Sequence, residues 1–152
     1  MGVRQIGARV HRVEDDNLIR GEGKYLDDIQ LPNMGYAAFL RSSMAHAKIS
    51  ITDTEAARTL DGVQAVFTYD TLPSSLVSKT QLETYPAPII KQSMCPELLA
   101  NDEVAHVGQA IAMVIANTRH VAEDACELIQ VEYTPLTPVV DVIKAAKSDS
   151  QL

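Results

Sequence analysis

Apolar and polar positions change their spacing several times along this chain, and each change predicts an element. Residues 35–42 (GYAAFLRS) and 46–53 (HAKISITD) read as two strands, with Ala45, Ala47, Ile49 and Ile51 alternating against Met44, His46, Lys48 and Ser50. Residues 54–60 (TEAARTL) read as a short helix, which Asp53 or Thr54 can cap and Gly62 ends. Residues 63–69 (VQAVFTY) read as a third strand.

Residues 109–117 (QAIAMVIAN) are apolar on both faces. One face is bulky (Ile111, Met113, Ile115) and the other small (Ala110, Ala112, Val114, Ala116). Both faces then need cover, which predicts a central strand whose small face lets a helix approach closely. A helix follows at once: Thr118 can cap it, and Val121, Ala122, Ala125, Leu128 and Ile129 form an apolar stripe opposite Arg119, Glu123, Asp124 and Glu127. Residues 130–135 (QVEYTP) return as a strand with Val131 and Tyr133 inward and Glu132 outward.

Two stretches lack such periodicity. Residues 1–34 are charged and contain spaced apolar positions, as an extended arm lying along another surface would. Residues 71–100 form a long connection carrying Pro73, Pro86, Pro88 and Pro96, and loops of that length are usually functional or packed on something else. The expected organisation is an arm over 1–34, a domain over 35–145 and the start of a linker over 146–152.

Composition narrows the function. A net charge of -7 argues against a nucleic-acid partner, which needs clustered Lys and Arg, and against anionic membrane surfaces. Two cysteines, Cys95 and Cys126, make neither a disulfide framework nor a metal-ligand pattern. The amino terminus has no apolar run for a signal peptide, and the longest apolar run, AIAMVIA, is too short to cross a bilayer. A soluble cytoplasmic chain is expected.

Candidate chemistry is sparse. GEGKY (residues 21–25) lacks the spacing and the Ser or Thr of a phosphate loop and reads as a turn. Asp15-Asp16 and Asp27-Asp28 read as solvated surface or turn caps, since neighbours on an extended chain point apart. The four histidines have no i, i+4 pair. His46, with no carboxylate nearby in sequence, reads as a structural or domain-contact residue. On residue chemistry alone this is a non-catalytic globular domain, and one reading is a free-standing protein-interaction module.

The order of motifs adds a second reading. Arg41-Ser42 is followed by Ala45-His46-Ala47, then Val107-Gly108, then Ala122-Glu123-Asp124-Ala125, within a colinear pattern running from EDDNLIRGEGKYLDDIQLPNM to the end of YTPLTPVVD. This resembles the amino-terminal portion of a molybdenum hydroxylase large subunit, the family of xanthine dehydrogenases, aldehyde oxidases and aerobic carbon monoxide dehydrogenases. The resemblance covers nearly the whole chain. It implies an α+β fold, the α/β hammerhead: a mixed β-sheet covered by two helices, with an extended amino-terminal arm.

The resemblance further implies a scaffold role without catalytic, cofactor-binding or metal residues in this chain. Molybdopterin, 2Fe-2S clusters and FAD would reside on other domains or subunits. The implied partners are the molybdopterin-binding domains of the large subunit and the iron–sulfur and flavin subunits, with no nucleic acid and no membrane. The long connection corresponds in relatives to a loop near the substrate funnel, which nominates Leu82, Tyr85, Ile89 and Ile90. Arg41, His46 and Tyr25 are nominated as interdomain contacts. Relatives run on into cofactor domains beyond the position of Leu152, so the chain is expected to be a partial or naturally split large subunit, inactive alone.

Overall fold

The computed structural model describes residues 12–77 and 97–146. Contacts divide the chain into two units, Met1–Met34 and Gly35–Leu152.

The described part of the first unit is not simply extended. It contains a short helix, α1 (Asp15–Ile19), and a 3₁₀ turn over Leu26–Asp28, neither with a buried residue. The acidic pairs serve these turns. The Arg12 N–H donates to the Asp15 carboxylate at 3.1 Å, Asp16 pairs with Arg20 at 2.9 Å, and the Tyr25 N–H donates to the Asp28 carboxylate at 2.9 Å. Within GEGKY, Gly21 adopts φ +72°, as its reading as a turn requires.

In the second unit the strands are β1 (Tyr36–Arg41), β2 (Ala47–Asp53), β3 (Val63–Thr68), β4 (Glu103–Val104), β5 (Ala110–Ala116) and β6 (Gln130–Pro135). The helices are α2 (Glu55–Thr59), α3 (Ser74–Val77), α4 (Arg119–Glu127) and α5 (Val142–Ala145). The α+β class stands, but the expected single mixed sheet resolves into two three-stranded sheets, β1-β5-β3 and β4-β2-β6. Every pairing is antiparallel. The reason lies in the helix-linked pairs: β2–α2–β3 and β5–α4–β6 each carry the chain from one sheet to the other. Neither link therefore makes the parallel pair that a crossover within one sheet would make.

β5 is central, as its two apolar faces require. One face builds a core in which Ala112, Val114, Ala57 and Val66 meet Ala125, Cys126 and Ile129. Ala112, Ala122 and Ala125 are fully buried, so α4 closes on the sheet with no large side chain holding it off. The Thr118 hydroxyl accepts the Val121 N–H at 3.2 Å and caps α4. Leu128, expected in the apolar stripe, lies past the helix end and is 39% exposed, whereas Ile129 is buried. On the other face of β5, Ile111 joins Ala47, Ile49, Ala100 and Val104 in a second core, with Val131 and Tyr133 packed against it.

A register shift between Val63 and Ala65 adjusts β3. It lets Val63 and Val66, three positions apart, both pack toward the core beneath α4.

Candidate functional site

Arg41-Ser42 and Gly108, two motif segments that lie far apart in sequence, meet at one corner, while Ala122-Glu123-Asp124-Ala125 lies on α4. Arg41 ends β1, and its guanidinium donates to the Gly108 carbonyl at 2.9 Å. The Ser42 N–H donates to the Gln109 carbonyl and the Gly108 N–H to the Ser42 carbonyl, both at 2.8 Å. The buried Ser42 hydroxyl donates to the Met44 carbonyl at 2.9 Å and accepts the Met44 N–H at 3.0 Å, turning the chain from β1 toward β2. Gly108 sits at φ +88°, a conformation that side chains disfavour.

His46 follows this corner. One ring nitrogen lies 2.8 Å from the Thr137 carbonyl and the other 2.8 Å from the Glu103 carboxylate. The hydrogen bonds to Thr137 and then Glu103 raise the imidazole pKa above 6.5, against a smaller opposing effect of burial. Sequence reasoning found no acid near His46. Glu103 comes from β4, a two-residue strand too short to show periodicity.

The face of the first sheet turned away from α4 is apolar; Ile111 on it is fully buried in the second core, and the residues beyond are only partly covered. Phe39 and Phe67 both register against Met113, one on each side, and Ala37 and Ala65 likewise flank Ile115. These are the only two phenylalanines of the chain, and Phe39 is 44% exposed. The Arg41 guanidinium stands 5.4 Å from the Phe39 ring centre, so this nominated contact residue borders both the corner and the apolar face. Tyr25, in the first unit, is exposed. Leu82, Tyr85, Ile89 and Ile90 lie outside the described residues.

Burial, and secondarily the Glu123 charge, pushes the Cys126 thiol above its ordinary value, which makes it a packing group rather than a nucleophile. Among the described residues no three His, Cys, Asp or Glu side chains gather as metal ligands, and no buried side-chain nitrogen or oxygen lacks a hydrogen-bond partner. These residues do not fit a molybdenum centre, and no catalytic step is assigned to them. Among the described residues no helix is long and apolar enough to cross a membrane.

Comparison with known proteins agrees with this arrangement. Residues 20–137 match the family described as "Aldehyde oxidase and xanthine dehydrogenase, a/b hammerhead domain". The chain is 39% identical over 147 residues to the carbon monoxide dehydrogenase large chain of Afipia carboxidovorans, covering 97% of this chain and 17% of that one. It is 40% identical over 147 residues to the nicotine 6-hydroxylase large subunit of Paenarthrobacter nicotinovorans, covering 92% and 17%. The crystal structure of quinoline 2-oxidoreductase from Pseudomonas putida superimposes with a TM-score of 0.76 at 36% identity, over 93% of this chain and 18% of that one. The chain thus spans about one sixth of the length of these large subunits. By that match over residues 20–137, the chain belongs to the α/β hammerhead family of aldehyde oxidases and xanthine dehydrogenases.

Proposed function

We propose that this chain is the hammerhead scaffold of a molybdopterin-dependent hydroxylase and serves by docking onto the molybdopterin-binding part of that enzyme. The observation that carries the reading is the partly covered apolar face around the exposed Phe39, with Met113 and Phe67, in a member of this family. Contiguous exposed apolar surface marks a contact surface, and the relatives are large subunits roughly six times longer than this chain. In the assembled enzyme, molybdopterin would supply oxygen insertion from water into a C–H bond or carbon monoxide, with iron–sulfur clusters and FAD on other domains or subunits taking the electrons. This chain's own residues would hold domains in place. Arg41, His46 and Tyr25 are proposed contributors to interdomain contact, and Leu82, Tyr85, Ile89 and Ile90 to the substrate funnel. A cytoplasmic location goes with the same reading.

The test is affinity purification from the native cell at native expression level, with molybdenum assayed in the eluate. The expected result is molybdenum co-purifying with the wild-type chain and lost with Phe39→Lys, which places a charge on the apolar face. A metal-free, well-behaved monomer from wild-type cells would overturn the reading in favour of a free-standing interaction module.

A further inference from the structure

His46 is placed to bridge the whole second sheet. It stands just ahead of β2, the central strand, and its ring reaches Glu103 on one edge strand and the Thr137 carbonyl just past the other. Its own carbonyl accepts the Leu136 N–H at 2.9 Å, so the backbone is tied at the same point. A carbonyl oxygen and an ionised carboxylate only accept hydrogen bonds, and neutral imidazole carries a single N–H. Donating to both takes a proton on each ring nitrogen, so the imidazolium is the form that satisfies both 2.8 Å contacts.

We propose that His46 is a pH-gated staple across the second sheet: as an imidazolium it ties β4 to the segment leaving β6, and loss of one ring proton frees that exit segment. The segment that would be freed is apolar. After Thr137 and Pro138 come Val139, Val140, Val142 and Ile143, all at least half exposed. The staple therefore sets the direction in which this sticky stretch is presented.

Neighbouring charges are consistent with the gate. On the face that alternation assigns to His46, Glu103 comes from β4, Lys48 from β2 and Glu132 from β6; the segment past β6 contributes Thr137, which does not titrate. Glu103 pairs with the ring at 2.8 Å. Among these charges the carboxylates outnumber the ammonium, which favours the charged ring.

Two measurements on the intact chain test this. In nitrogen-15 NMR at pH 6, both His46 ring nitrogens should show the protonated shift, and the ring should titrate above the ordinary histidine value. Glu103→Gln should bring that titration down, because a glutamine amide can serve a neutral ring as donor. Amide exchange at Leu136 should lose about two- to fivefold in protection factor as wild type passes through the His46 titration. That loss should be absent in Glu103→Gln. A His46 with one unprotonated nitrogen at pH 6, or Leu136 protection that ignores the titration in wild type, would overturn the proposal.

Discussion

Arg41 and Gly108 are held together by a 2.9 Å hydrogen bond from guanidinium to carbonyl across 67 positions of sequence. The bond reaches the glycine's backbone, so the identity of residue 108 matters for a different reason, its φ of +88°. A Cβ there would meet nothing within 4 Å. Gly108→Ala should therefore destabilise through backbone strain alone, by about 1–2 kcal/mol. Gly108→Asn should lose less, because asparagine tolerates this region better. Urea denaturation of the two variants checks the ranking; equal losses would point to a steric cause.

The close approach of α4 to β5 depends on alanine at position 112, which is fully buried beneath Ala125 and Cys126. Ala112→Leu should lose about 1–3 kcal/mol by overpacking. Met113→Leu, on the opposite face of β5, conserves volume and should lose less than about 1.5 kcal/mol. Thermal melts that fail to separate the two would show that the helix does not close on that face.

Thr118 gives α4 its side-chain cap. Thr118→Ala should lose about 1 kcal/mol, the usual penalty for leaving that first-turn N–H unpaired. The loss should appear in the denaturation midpoint with an unchanged slope.

His46 makes stability depend on pH with a definite sign. Its folded-state pKa is raised above 6.5 by the Thr137 carbonyl first and Glu103 second. The folded protein then binds the proton more tightly than the unfolded chain does. The contribution is fully present below pH 6.5 and is lost as pH rises through the raised value. Denaturation midpoints across that window should fall in wild type, and the His46 contribution to the fall should vanish in His46→Gln.

How much of this was legible in sequence depends on the range of the signal. The two-faced pattern of β5 and the stripe of α4 are local, so the central strand, the Thr118 cap and the burial of Ala112 could be read directly. The division into two sheets could not, because periodicity shows which face of a strand is covered and never which strand lies beside it. Nor could the partners of His46. Glu103 is 57 positions away and Thr137 is 91, and the latter contributes only a carbonyl, which every residue has. Leu128 shows a smaller limit: it has the spacing of the stripe, yet the helix stops at Glu127 and leaves it partly in solvent.

The central place of β5 also sets an order of events during synthesis. β1 and β3 leave the ribosome well before the strand that separates them in the sheet, and until β5 emerges neither has its hydrogen-bonding partner. Pairings between distant segments are slow because the intervening loop must first be closed. The apolar strand carrying Phe39 must therefore wait unpaired until β5 has been made, a period in which it is open to misassociation. The strand and the capped helix that seals it arrive together, from Ala110 to Glu127, so the first sheet can be completed and covered in a single late step.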